Sequence, residues 1–304
     1  MNPRPRYFLQ LLCVAALMHL PDALKAQKSM SLANSEGLRL SVAGDDSQAA
    51  LSITLPGSSS DRPEIEILFP EHVTAKKKGS VEVEHLYLFR PGRQGEGPQW
   101  KRSGNSLEYE RDFPPGIHMQ ARAMLQDDGV LFHYEFENRS DVDYSMITAV
   151  TDPRMAGVFH DVRLERTYVH RKEGFALLAG ETPARLTMPL NQWLPARYLD
   201  SYTWPIPEQR VEHRADSITY YNASQLVDLP VIATVSSDGK WIAASFTNTT
   251  GNVWSNPELT CQHVDPERPL PARGKAEWDV KILIFSGTLD QVLDKVTSQR
   301  SSLQ

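Results

Sequence analysis

Residues 117–138 read Ile-His-Met-Gln-Ala-Arg-Ala-Met-Leu-Gln-Asp-Asp-Gly-Val-Leu-Phe-His-Tyr-Glu-Phe-Glu-Asn. From Ile117 to Leu125 apolar and polar side chains alternate, the pattern of a strand with one wet face. Asp128-Gly129 then interrupts, and the pattern resumes toward Asn138. Asp-Gly is a hairpin signal, because a type I′ turn needs positive φ at both central residues. The stretch predicts two antiparallel strands joined tightly, and it sets the reading of the whole chain.

The same period recurs. Leu38-Arg-Leu-Ser-Val alternates, as does Val81-Glu-Val-Glu-His-Leu-Tyr-Leu-Phe. Runs of this length bounded by Gly, Pro, Ser or Asp indicate antiparallel sheets. Asp238-Gly-Lys-Trp-Ile-Ala-Ala-Ser-Phe246-Thr-Asn248 repeats the Asp-Gly, Phe and Asn spacing of 128–138 at an offset of 110 residues. That is either an internal repeat or two hairpins that look alike. The clear helix is C-terminal. Thr288-Leu-Asp-Gln291 is a capping box, and Leu289, Val292, Leu293 and Val296 follow helical spacing. Asp290 and Lys295 complement the helix dipole.

Composition agrees with an all-β chain. With 304 residues, 40% hydrophobic and 23% charged, the sequence is ordinary globular protein, and 21 prolines with 17 glycines argue against a mostly helical fold. The formal charge of −6 leaves no basic excess for a phosphate backbone, so a nucleic-acid partner is not expected.

The N-terminus reads as an address. Arg4 and Arg6 precede an apolar run from Tyr7 to Leu20, and a small residue, Ala26, follows. This describes a secretory signal cleaved near Ala26, too short to span a bilayer comfortably. The expected domains are a signal peptide, 1–26, and a single β-sandwich, 27–304, secreted or periplasmic with no integral membrane segment in the mature chain. Loss of Arg4, Arg6 and Lys25 from 32 basic residues, and of Asp22 from 38 acidic ones, leaves a mature net charge of −8. Cys13 also leaves, so Cys261 has no partner for an internal disulfide.

Missing motifs narrow the chemistry. There is no Gly-x-Ser-x-Gly, His-Glu-x-x-His, Cys-x-x-Cys or phosphate-binding glycine loop. Three clusters carry the functional reading. In Phe159–Arg171, an extended chain puts His160, Arg166, Tyr168 and His170 on one face. Such a row suits sugar hydroxyls or a carboxylate, and equally a solvated, charge-compensated strand. In Trp254–Pro266, Cys261, His263 and Asp265 alternate to one side, with Asn256 nearby. They read as a metal site, a Cys-His nucleophile or a buried polar corner, with Cys261 most simply inert. The stretch 189–215 carries Asn191, Trp193, Arg197 and Trp204. Its aromatics suit stacking on sugar faces, or sealing one end of the sandwich. Glu135 and Glu137 share a face with His133, where exposed strand glutamates are the commoner case.

Trp254-Ser-Asn256, Cys261-Gln-His263-Val-Asp265-Pro266 and Lys281-Ile-Leu-Ile-Phe-Ser-Gly287-Thr-Leu-Asp290 together resemble a group of secreted bacterial proteins, and Arg166-Thr-Tyr168-Val resembles their mid-chain Arg-Thr-Phe segment. The resemblance covers about residues 128–296. Where the group often shows Pro-Gly-Glu before the last strand, this chain has Ala272-Arg-Gly-Lys275. These proteins look similar to the galactose-mutarotase-like supersandwich, a fold of sugar epimerases, polysaccharide lyases and accessory domains of glycoside hydrolases. The resemblance implies a large antiparallel β-sandwich and, by analogy, a carbohydrate-active protein of lyase, epimerase or hydrolase type. A non-catalytic carbohydrate-binding or envelope-associated module is the alternative. The catalytic candidates are His160, Arg166, Tyr168, His170, His263 and Asp265. Asn191, Trp193, Arg197, Trp204 and Asn256 are the substrate-binding candidates, and the expected partner is a saccharide or polysaccharide. In a lyase, His or Tyr would abstract the proton next to a uronate carboxylate and Arg166 would offset its charge. No cofactor is required by any motif. Calcium suits carboxylates and carbonyls, but no ligand loop of regular spacing is visible.

Overall fold

Residues 117–138 form a hairpin whose strands pair from Ile117 opposite Asn138 to Gln126 opposite Gly129. The turn residues are therefore Asp127 and Asp128, one position earlier than the Asp-Gly reading expects. Gly129 instead begins the second strand, with φ +145°, and a Cβ there would lie 2.0 Å from the Ile282 carbonyl oxygen. Close approach of the neighbouring strand, rather than turn geometry alone, demands glycine.

The computed structural model describes residues 30–43, 49–58, 62–88, 97–178, 198–203, 210–213, 219–222, 227–249, 252–256 and 260–304. Among them a ten-stranded sheet begins with β1 (Ser31–Ala33), β2 (Arg39–Ala43), β3 (Ala50–Thr54) and β4 (Ile65–Leu68). It continues through β12 (Asp152–Met155), β21 (Cys261–Asp265), β20 (Asn252–Asn256), β15 (Tyr198–Thr203), β17 (Thr219–Asn222) and β16 (Arg210–His213). A nine-stranded sheet runs β14 (Gly174–Leu177), β13 (Thr167–Arg171), β18 (Val231–Val235), β19 (Trp241–Thr247), β23 (Lys275–Ser286), β10 (Gly129–Asn138), β9 (Ile117–Gln126), β8 (Ser106–Phe113) and β7 (Lys101–Ser103). Four strands make a smaller sheet, β22 (Arg268–Leu270), β11 (Tyr144–Ala149), β5 (His72–Lys77) and β6 (Glu84–Leu88). Pairing is antiparallel except between β15 and β17. Among the described residues this is the expected all-β, antiparallel sandwich with one helix, at the C-terminal end.

The core lies between the layers. The inner face of the nine-stranded sheet presents Phe132, Tyr134, Phe136 and Trp278, all fully buried. Phe136 stacks on Trp278 at 5.1 Å, and Phe69 meets Phe132 at 4.9 Å. Opposing them are Leu40, Ile53, Ile65, Ile67 and Met155 of the ten-stranded sheet, with Val73, Ala75, Ile147 and Ala149 of the small one in the same cluster. Each such aromatic or branched side chain contributes about 1.5–3 kcal/mol by leaving water, which holds the two layers face to face.

The helix α1 (Leu289–Gln299) has the expected capping box, with Thr288 N–H donating to Gln291 Oε1 at 2.9 Å. Its buried Val292 and Val296 pack on the outer face of the nine-stranded sheet, against Val231, Ala233, Ala244 and Leu283. Lys295 and Gln299 both reach Asp128, at 3.0 and 2.8 Å, and so tie the helix to the 127–128 turn.

The Asp-Gly spacing does not mark an internal repeat. β10 and β19 do flank β23. However, Phe136 joins the inner core and Phe246 the helix-side cluster, so matching residues face opposite ways.

Candidate functional site

In β21, Gln262 and Val264 point inward, and Gln262 bonds Thr234 Oγ1 of the facing sheet at 2.6 Å. By alternation Cys261, His263 and Asp265 point outward, on the side of the ten-stranded sheet away from the core. The neighbouring strands add to the same face. Trp254 lies opposite His263, Asn252 opposite Asp265, and Arg154 opposite Cys261. Asp152, two residues before Arg154, shares that face.

His263 is held on two sides. Its Nδ1 lies 2.7 Å from Asp265 Oδ1, and its ring stacks on Trp254 with centroids 5.8 Å apart and planes inclined by 23°. Asn252 Nδ2 donates to the other Asp265 oxygen at 3.0 Å. Burial disfavours the charged imidazole, but Asp265, by charge and hydrogen bond, outweighs it and holds the pKa above the ordinary histidine value. With Nδ1 engaged, Nε2 is the ring nitrogen left for a ligand.

A second group approaches from the small sheet. Glu71, just before β5, takes Arg154 Nη2 on Oε1 at 3.3 Å and faces His72 Nδ1 with Oε2 at 3.4 Å. Arg154 Nε donates to Asp152 Oδ2 at 2.8 Å, so one guanidinium is clamped between two carboxylates. Their environments differ. Burial raises Glu71, but His72, His263 and Arg154 outweigh it and its pKa falls below the usual carboxylate range. Asp152 is completely buried, and that burial together with Glu71 raises its pKa despite His263 and Arg154. Paired groups pushed apart in this way are the mark of acid and base assignments. Burial and Asp152 push the Cys261 thiol well above its ordinary value, so it is a poor nucleophile.

The sequence candidates do not converge as expected. His263 and Asp265 lie in this site. Tyr168 and His170 do not, because β13 belongs to the other sheet and Tyr168 lies opposite Ala233, on the face that α1 covers. His170 pairs there with Asp228, Nδ1 to Oδ1 2.6 Å. Arg166 is tied to main chain. It donates to the carbonyls of Val235 at 2.6 Å and Val158 at 3.3 Å, and also to His160, so it staples a turn rather than facing a substrate. His160 is exposed beyond a 3-10 turn, Gly157–Phe159. A single extended strand would place His160, Arg166, Tyr168 and His170 on one face. The chain breaks that strand with turns before Thr167. Asn191, Trp193, Arg197 and Trp204 lie outside the described residues. Asn256 ends β20 opposite Cys261.

Glu71, Asp152, Arg154 and Trp254 are the site residues missing from the sequence candidates. Asp152-Pro-Arg154 carried a signal, two charges at strand spacing inside an apolar stretch. Nothing local tells that Glu71 would reach them. On the far side of the molecule, His133 bonds Asp279, Glu135 bonds Lys275 and Glu137 bonds Arg139, so those carboxylates belong to a compensated outer face. Among the described residues no group of three or more His, Cys, Asp or Glu is arranged to hold a metal ion, and no helix is long and apolar enough to cross a membrane.

No protein-family model matches the chain, and no curated protein matches it. Its fold is similar to that of a galactose mutarotase-like protein from Lactobacillus casei ATCC 334, with TM-score 0.44 and 11% identity over 84% of this chain and 99% of that one. It is also similar to a galactose mutarotase related enzyme from Lactobacillus acidophilus, with TM-score 0.44 and 9% identity over 85% and 98%. The α-N-acetylgalactosaminidase NagBb from Bifidobacterium bifidum matches with TM-score 0.49 and 10% identity over 89% of this chain and 39% of that one. At these identities the likeness is one of fold.

Proposed function

We propose that the protein is a carbohydrate-active enzyme that moves protons on a saccharide, of epimerase type. The observation that carries this reading is the His263–Asp265 pair beside Glu71, an imidazole raised toward the acid form and a carboxylate lowered toward the base form in one outward-facing cluster. Inverting a sugar centre through ring opening needs a base at a hydroxyl and an acid at the ring oxygen, and no cofactor. Glu71 suits the first role and His263 Nε2 the second. Trp254 offers an apolar ring for the sugar's C–H face. Arg154, already flanked by two carboxylates, donates to hydroxyls rather than capturing a free anion, which sets the lyase reading on a uronate behind.

The mature protein would be exported after cleavage near Ala26, with a saccharide as its ligand. The test incubates the purified protein with neutral aldoses, glycosides and uronate-containing glycans, following anomeric exchange by NMR, new reducing ends and unsaturated products. Anomeric exchange lost in His263→Ala and Glu71→Gln supports the reading. Unsaturated products would replace it with a lyase, and binding without turnover would replace it with a sugar-binding module.

A further inference from the structure

We propose that the outer face of the small sheet beside Glu71 is a second sugar-binding subsite, so that the substrate is a chain of two or more sugar units. This rests on the reading that the reacting sugar sits against Trp254 and His263. Glu71 joins the two regions, since one carboxylate oxygen faces Arg154 and the other faces His72. Beyond it, the His72 and His85 rings meet edge to face, with centroids 6.1 Å apart and planes at 68°. His72 is half-buried and His85 exposed. Cross-strand register places Thr148 opposite Thr74 and Thr74 opposite His85, so these side chains share one face.

Thr148 supplies an independent pointer. It is 8% exposed, and its hydroxyl has no hydrogen-bond partner among the described residues. A buried hydroxyl left unpaired costs about 1–3 kcal/mol, which is unusual on a face with two imidazoles and a carboxylate close by. Imidazole combines a flat face with donor and acceptor tips, and a threonine hydroxyl both donates and accepts. Together these groups match the alternating C–H and hydroxyl surface of a pyranose. The acidic and imidazole character fits a neutral sugar unit next to the one over Trp254.

The experiment measures binding to the full chain by calorimetry, with neutral homo-oligosaccharides of one to four units, beside turnover of the same series. The expected result is an affinity gain of about tenfold for the second unit, as one good set of polar and stacking contacts provides. His85→Ala and His85→Gln should remove that gain and leave monosaccharide binding unchanged. Thr148→Val should reduce it. Flat affinity along the series, or a gain that survives both His85 variants, overturns the subsite. A chain-length gain without turnover upholds the subsite and overturns the catalytic reading. Absence of binding by every sugar overturns both.

Discussion

The Trp254 indole and the His263 imidazole lie directly opposite each other on neighbouring strands, stacked 5.8 Å apart. The stacking fixes the plane of the ring, and Asp265 fixes its tautomer. The imidazole is thereby oriented before any ligand arrives. Loss of a positioned acid or base lowers turnover by about 10²–10⁴-fold, and His263→Ala should fall in that range. His170→Ala should leave turnover unchanged, because His170 leaves the other sheet on the helix-covered face. Steady-state rates on a turned-over sugar decide it, and equal losses in the two variants would refute the assignment.

Stability should carry the His263 signature in its pH dependence. The imidazole pKa is raised in the folded state, from about 6.5 in the unfolded chain. The bonding to Asp265 therefore stabilises fully below about pH 6.5 and is lost as pH rises through the folded value. Asp265→Asn should lower the melting temperature more at pH 6 than at pH 9. Thermal melts of both proteins at the two pH values check this, and a gap that widens at pH 9 would contradict it.

Arg154 and Asp152 should be strongly coupled. Asp152 is fully buried, and Arg154 Nε donates to its Oδ2 at 2.8 Å. Removing Arg154 strands a buried carboxylate at a cost of about 1–3 kcal/mol, discounted because the guanidinium itself is 31% exposed. Arg154→Met should destabilise by that order. Asp152→Asn with Arg154→Met should recover part of the loss. Urea unfolding of the two single variants and the double gives the coupling, and strict additivity would show that the pair is not the source.

Asp128 should behave as an acid-labile lock on the C-terminal helix. Burial raises its pKa, but Lys281, Gln299 and Lys295 outweigh this and bring it to about 2. A depressed carboxylate contributes stability present above its unfolded value and lost as pH falls through the folded one. The fall from the ordinary aspartate value to about 2 corresponds to about 2 kcal/mol. Asp128→Asn should cost about that much at pH 7 and almost nothing near pH 2. Hydrogen exchange along α1 should quicken first, and unchanged protection there would argue against the lock.

Much of the architecture was legible in local patterns. Alternation at 117–125 and the Asp-Gly interruption announced a hairpin, and Thr288 with Gln291 announced the helix start. Both are written over a few consecutive residues, where side-chain direction follows directly from backbone period. Even the outward grouping of Cys261, His263 and Asp265 is of this kind. The turn lies at 127–128, one residue before the Asp-Gly pair, because Gly129 answers to the Ile282 carbonyl of a strand more than 150 positions away.

The membership of the site was settled by long-range packing. Which strands become neighbours decides whether two polar faces meet. β12 pairs with β21, so Asp152 and Arg154 join His263, and Glu71 reaches across from the small sheet. β13 pairs with β18 instead, so His170 emerges on the opposite side of the sandwich. Alternation tells which residues of a strand share a face. Only the pairing of strands far apart in the chain, driven by burial of their apolar faces, tells what that face looks upon.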